Sequence, residues 1–309
     1  MQAFRCLEGK TLRPRVLGCI FLYALLAFGL LQLVKKPLAL LLQPTRDFET
    51  IFISNTKIPK IIHQTYANHS IPDHWKQAQQ SCLDLHPDYE YKFWTDDDAN
   101  EFISKEYPWF EETWKSYPHP IQRADALRYF VLVHFGGIYI DLDDGCNYRL
   151  DPLLQYPAWL PLTAPIGVSN DVMGSIPHHP FFELVIRALA DYNKDWASPY
   201  LTVMYSTGPL FLSEMREEYL SLENIHAEEE LFTLMPKDYD RDQASMFHSY
   251  RGSSWHEDDA KVIFWIGDHW LPLTMFGAAA ALAVLSSLWK CYWRVVDMPV
   301  APFRKPSQG

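Results

Sequence analysis

Asp141 and Asp143 are the residues of this chain best suited to chemistry. They close the run Ile138-Tyr139-Ile140-Asp141-Leu142-Asp143, in which apolar and polar types alternate. Alternation has the period of a β-strand, whose side chains point to opposite faces in turn. The pattern predicts that Ile138, Ile140 and Leu142 enter a core, while Tyr139, Asp141 and Asp143 share the other face. Two carboxylates on one face at a strand end make an opening for a hard divalent cation. Mn2+ and Mg2+ take oxygen ligands and keep positions open for water and phosphate. The plainer reading of an isolated D-x-D is a polar strand end or turn. Asp144, next along, is expected to face away from the pair.

The elements that must position these acids lie just upstream. An amphipathic segment from Ile121 ends at Gly136-Gly137, and the alternating strand follows. Asp125 and Arg128 are three apart and share one face of that helix. On a surface such a pair contributes under about 1 kcal/mol. Farther upstream, Ile58 to Ile62 predicts a first strand with His63-Gln64-Thr65 at its carboxyl end. Ligands of open α/β folds gather at such strand ends. His74 to Leu85 reads as a helix and Tyr89 to Trp94 as a second strand. Thr95 before three aspartates reads as a helix N-cap. Strands alternating with helices indicate an α/β domain with a mostly parallel sheet.

The run from Arg123 to Asp143, R-A-D-x-L-R-Y-x-x-L-x-x-x-G-G-x-Y-x-D-x-D, resembles the DxD-containing sugar-binding region of glycosyltransferases. It is most similar to the fungal family of initiating outer-chain α-1,6-mannosyltransferases and inositol phosphorylceramide mannosyltransferases, and within it to the latter group, the catalytic subunits of MIPC synthase. P-K-I-I-H-Q-T at 59–65, F-W-T-D at 93–96, N-D-V-M-G-S at 170–175, S-T-G-P at 206–209 and H-S-Y-R-G-S-S-W at 248–255 agree with it. The resemblance implies a single GT-A-like, Rossmann-like domain. It implies transfer of mannose from GDP-mannose to an inositol phosphorylceramide, dependent on Mn2+ or Mg2+ and retaining the α-anomer. A glycoprotein outer-chain α-1,6-mannosyltransferase and a non-catalytic sugar-nucleotide-binding subunit are the alternatives.

The same resemblance distributes roles. Asp143 binds the metal directly, and Asp141 contacts the donor and reaches the metal through water. His248 is the further metal ligand, with His256 its rival. Asp125, Arg128 and Tyr139 contact the donor sugar, His63 and Gln64 lie near the nucleotide, and Trp255 covers the diphosphate or sugar. Asp171 faces the reacting carbon or the acceptor. Trp94 is a base-stacking or core tryptophan, and Thr207-Gly208-Pro209 a turn on the acceptor side.

A chain of 309 residues holds one sizeable domain plus attachments. Its formal charge of −11, with no basic block, speaks against a nucleic-acid partner. Of five cysteines, Cys82 and Cys146 fall in the globular part. A disulfide between them and a pair of buried thiols both fit the sequence.

Residues 1–15 carry Arg5, Lys10, Arg13 and Arg15 and read as a cytosolic tail. The uncharged run 16–34 is long enough to span a bilayer. Residues 35–57 read as a stem, and 58–265 as the glycosyltransferase domain. The run 270–289, with tryptophan at both ends, reads as a second span before a basic tail at 290–309. Two spans with cytosolic ends would put the domain in the Golgi lumen, beside a lipid acceptor and any regulatory membrane subunit. The sequon Asn68-His69-Ser70 fits that side.

Overall fold

The computed structural model describes residues 58–163, 167–196, 198–222, 225–234, 245–250 and 258–296. The tail, span and stem expected over residues 1–57 lie outside them. The chain divides into two compact units, Met1–Ser254 and Trp255–Gly309.

The first unit is built on a six-stranded sheet. Its strands are β1 (Ile61–Thr65), β2 (Glu90–Trp94), β3 (Gly137–Ile140), β5 (Ala158–Pro161), β6 (Val172–Ser175) and β7 (Leu231–Leu234), in the order β2-β1-β3-β6-β5-β7. All pairings are parallel except the two made by β6. This is the mostly parallel α/β sheet that the alternation of elements predicts. Two short strands, β4 (Asp144–Cys146) and β8 (Phe247–Ser249), form a separate antiparallel ribbon.

Helices α1 (Asp73–Leu85), α2 (Asp96–Glu106), α3 (Glu111–Ser116), α4 (Pro120–Phe135), α5 (Pro180–Tyr192), α6 (Pro199–Ser206) and α7 (Pro209–Leu220) connect the strands. Thr95 caps α2 as expected. Its hydroxyl accepts from the Asp98 N–H, and the Asp98 side chain accepts from the Thr95 N–H. Strand β1 begins later than expected, so His63, Gln64 and Thr65 lie inside it. Pro59 has no N–H to give a sheet ladder, which delays the first pairing.

Both sheet faces are covered. Ile138 and Ile140 enter one cluster with Ile62, Trp159, Val172 and Phe247. Tyr139 enters the other with Leu127, Phe130, Met173 and Phe211. The alternation therefore separates two buried layers rather than core from solvent. Helix α4 departs further from expectation. It is buried from Asp125 through Val133 rather than amphipathic. The reason is coverage: α4 packs against β1, β3 and β6 as well as α5 and α6, so its polar residues are buried with its apolar ones.

The turn from α4 into β3 needs its glycines. Gly136 and Gly137 have φ of 65° and 99°, where a Cβ is unfavourable. A Cβ on Gly137 would also lie 2.7 Å from the Ile61 carbonyl oxygen.

Cys82 on α1 and Cys146 on β4 form a disulfide across 64 residues. A cross-link closing a loop of that length contributes about 4 kcal/mol by limiting the unfolded chain. Cys82→Ser should lower the denaturation midpoint accordingly, and dithiothreitol should lower it equally in the unsubstituted protein. Unfolding in urea with and without reductant measures both.

The second unit contains α8 (Asp258–Asp268) and α9 (Trp270–Val296). Trp270–Lys290 is long and apolar enough to cross a membrane, with mean hydropathy 1.8 and none of it buried. It is the one such helix among the described residues.

Candidate active site

Strand β3 stops at Ile140, and there the chain turns. The Asp144 N–H donates to the Asp141 carbonyl at 3.0 Å, closing a turn over Leu142 and Asp143. The turn ends the two-residue alternation and swings Asp144 back. Asp144 does not face away, as strand geometry predicts, but joins the pair. One oxygen from each of Asp141, Asp143 and Asp144 lies within 4.8 Å of the others. The Asp141 N–H donates to the Asp171 carbonyl at 2.8 Å, which brings a fourth acid close.

The cluster is short of positive charge. Burial pushes the Asp141 carboxyl up to about 7, against the pull of Arg128 and with Asp143 and Asp171 adding repulsion. Asp144 is only 4% exposed. Burial raises its carboxyl well above the usual range, and Asp171, Asp143 and Asp141 raise it further. An all-oxygen donor set with unbalanced negative charge fits a hard divalent cation.

Asp141 is held at both oxygens. Tyr139 Oη donates to Oδ1 at 2.7 Å, and Arg128 Nη1 to Oδ2 at 3.3 Å. The Arg128 guanidinium lies 4.8 Å from the Tyr139 ring centroid. Its Nη2 reaches Asp125 at 3.0 Å, and its Nη1 also donates to the Asn170 carbonyl at 2.6 Å. Asp125 and Arg128 are buried, not a surface pair. Protein groups complete the shell of Asp125: Asn170 Nδ2 at 3.0 Å and Thr207 Oγ1 at 2.9 Å. Tyr129 Oη accepts from Asn170 Nδ2 and donates to the Thr207 carbonyl. Thr207 thus anchors α6 to α4 at this network.

His63 and Gln64 lie beneath the site, both 0% exposed. Trp94 Nε1 donates to His63 Nδ1 at 3.1 Å, so the proton sits on Nε2, which donates to the Gly136 carbonyl at 2.8 Å. Burial holds this imidazole down at about 4 and hence neutral. Gln64 Nε2 points at the Asp141 carbonyl at 3.4 Å, and its Oε1 accepts from Tyr91 Oη. These contacts reach the backbone that carries the acids. Trp94 belongs to an aromatic cluster with His63, Phe102 and Phe135, which is its core reading.

His248 stands on β8 opposite Gly145, the residue after Asp144. It lies outside the group of three acids. Burial lowers its imidazole from the ordinary value. Ser249, its neighbour, stands opposite Asp144 across the ribbon. Trp255 and His256 lie outside the described residues.

Such a cluster at the end of a central strand is a setting in which a hard divalent cation can meet a ligand's phosphates. The family described as glycosyltransferase sugar-binding region containing DXD motif matches residues 72–159, which include the acid cluster with Asp125, Arg128 and Tyr139. Mannosyl phosphorylinositol ceramide synthase CSH1 of Saccharomyces cerevisiae is 50% identical over 76% of this chain and 63% of its own length. Its counterpart SUR1 is 54% identical over 71% of this chain and 57% of its own length. The chain thus spans less than two thirds of these two relatives. Inositol phosphoceramide mannosyltransferase 1 of Schizosaccharomyces pombe is 38% identical over 85% of this chain and 83% of its own length. The chain belongs to the DXD-motif glycosyltransferase family, in the group that these relatives form.

The raised Asp141 carboxyl carries a pH signature. Folded and metal-free, it keeps a proton up to about 7; unfolded, it releases it near 3.8. Between those values the folded state binds more protons, so its contribution to stability falls as pH rises. A cation replacing the proton reverses this. Mn2+ should therefore raise the Tm strongly at about pH 8 and little at about pH 5. Thermal melts with EDTA or Mn2+ at the two pH values give the comparison; equal rises would contradict it.

Proposed function

We propose that the protein transfers mannose from GDP-mannose to the inositol headgroup of an inositol phosphorylceramide, with retention at the anomeric carbon. The observation that carries this reading is the acid cluster Asp141, Asp143 and Asp144 at the end of β3, in a chain of this family. Asp143 and Asp141 would hold Mn2+ or Mg2+, with His248 as a further ligand. The cation supplies positive charge to a departing nucleoside diphosphate.

The chain's own residues do the rest. Tyr139 and Arg128 fix the direction of the Asp141 carboxylate. Arg128, tied down by Asp125 and the Asn170 carbonyl, presents a buried cation next to the donor site. His63 and Gln64 form the floor under the nucleotide. Asp171, joined to Asp141 through the backbone, lies at the reacting end. Partial burial strengthens these charges relative to their strength in water.

Three features support a luminal, membrane-bound setting in the Golgi. Trp270–Lys290 is exposed along its length. Asn68 of the sequon is exposed. The Cys82–Cys146 disulfide suits an oxidising compartment. Endoglycosidase treatment of the protein should reduce its mass, and protease should spare the domain in sealed vesicles.

The test of the reaction is direct. Membranes holding the protein are incubated with labelled GDP-mannose and Mn2+, then extracted. Label should enter an alkali-stable inositol phospholipid, with an α-linkage by proton NMR, and chelator should stop it. Label in protein, or transfer undiminished in chelator, would overturn the reading.

A further inference from the structure

Arg128 has two acids within reach and is divided between them. Its Nη2 lies 3.0 Å from Asp125 Oδ1, and its Nη1 lies 3.3 Å from Asp141 Oδ2. Arginine and a carboxylate readily close a bidentate pair, two nitrogens on two oxygens. Asp125 shares the helix face of Arg128 and is buried with it, so it is the natural partner for such a pair. The pair does not close. Thr207 Oγ1 donates to Asp125 Oδ2 at 2.9 Å, so the second oxygen already has its donor. Nη1 turns instead to the Asn170 carbonyl, at 2.6 Å, and to Asp141. Arg128 Nε is buried with no hydrogen-bond partner among the described residues. The Nη contacts and the Tyr139 ring therefore set the plane of the guanidinium.

The Thr207 hydroxyl is itself held by a closed circuit. Tyr129 Oη donates to the Thr207 carbonyl at 2.7 Å, so it must accept from Asn170 Nδ2, 3.1 Å away. The same amide donates to Asp125 Oδ1 at 3.0 Å. A carboxylate only accepts, so the Thr207 hydroxyl points its hydrogen at Asp125, and the loop closes. Its approach to the Val203 carbonyl is longer, at 3.5 Å. Asp125, Tyr129, Asn170 and Thr207 are all buried. Every proton in the circuit thus has a determined owner, and water does not compete for it.

We infer that Thr207 is a positioning residue: by occupying Asp125 Oδ2 it keeps Arg128 from closing on Asp125, and so leaves Nη1 to hold the carboxylate of Asp141 in the acid cluster. The inference rests on the reading that Asp141 belongs to the cation site used in transfer. It extends the supports of that cluster to the end of α6.

Variants of the full-length protein in detergent test it. Thr207→Val keeps the side-chain shape and removes the donor. Thr207→Ala removes the donor with less bulk and should act as the valine variant does. Thr207→Ser keeps the donor. Thr202→Val makes the isosteric change on the same helix, at a hydroxyl that accepts from the Trp196 N–H at 2.9 Å and bonds back to Asp195 and Trp196. In a crystal structure of Thr207→Val, both Nη atoms should pair with Asp125, and Nη1 should leave hydrogen-bond distance of Asp141. The contact with Asp141 should remain in Thr207→Ser and Thr202→Val. At saturating donor, acceptor and Mn2+, kcat should fall about 10-fold or more in Thr207→Val, the scale of one hydrogen bond to a charged group. It should recover in Thr207→Ser and hold in Thr202→Val. Arg128 unmoved in the donorless variants overturns the inference. So does an equal loss of kcat in Thr202→Val, which would trace the effect to helix packing. A displaced Arg128 beside undiminished transfer overturns it too. If the unsubstituted protein transfers no mannose from GDP-mannose, the assignment of the reaction fails instead, and the place of Arg128 in the variants still decides the inference.

Discussion

Asp143→Asn should abolish glycosyl transfer, with kcat down by at least about 10^2–10^3-fold, while leaving the fold intact. The loss follows from position. Asp143, like Asp141, is partly exposed, and it sits in the turn that follows β3. The amide is nearly the same shape but offers the cation a neutral oxygen, and the charge that balances a leaving diphosphate goes with it. Stability should move the other way. Asp143 repels Asp141 and Asp144. Removing one like charge from that cluster should leave the metal-free Tm unchanged or higher, and should erase the rise that Mn2+ gives. Kinetics with GDP-mannose and melts with and without Mn2+ test the two halves separately. A variant that is inactive because it is unfolded, or fully active, would contradict the assignment.

Arg128→Ala should be costly to both fold and function. The side chain joins Asp125, Asp141 and the Asn170 carbonyl from a buried position. Removing it leaves the Asp125 carboxylate buried with neutral partners only, a change that destabilises by about 3–5 kcal/mol. It also takes away the cation that opposes the upward shift of Asp141, so that acid should hold its proton more tightly. Arg128→Lys keeps the charge but cannot bond Asp125 with one nitrogen and Asn170 and Asp141 with another. It should recover part of the stability and little of the donor use at saturating Mn2+. Urea unfolding and KM for GDP-mannose are the measurements. Equal behaviour of alanine and lysine variants in unfolding would argue against a charge-based role.

Much of this site was legible in the sequence, because its pieces are local. The spacing of Asp125 and Arg128, the double glycine and the alternation through Asp141 all lie within one helix-turn-strand segment. The cap at Thr95 was equally local. The departures arise where tertiary structure overrides local period. Strand alternation places Asp144 outward, but a turn breaks the alternation after Ile140. The pattern of α4 predicts an amphipathic helix, yet the sheet on one side and α5 and α6 on the other bury its polar residues too. Asn170 and Thr207 stood in recognised motif pieces, but only the packing of β6 and α6 against α4 reveals that they complete the shell of Asp125. Asn147, whose side-chain oxygen bonds the His248 ring, had no local signal. Its partners lie about a hundred residues on, and the pairing of β4 with β8 brings them together.

The bond between Cys82 and Cys146 ties α1 to the strand that begins with Asp144. It therefore braces the acids from behind, and the order of events during biosynthesis matters. A chain made in a bacterial cytoplasm would keep both thiols, and so start with a looser support under its most repulsive cluster. Export to the periplasm, or a host with an oxidising cytoplasm and a disulfide isomerase, is the production route that this architecture calls for.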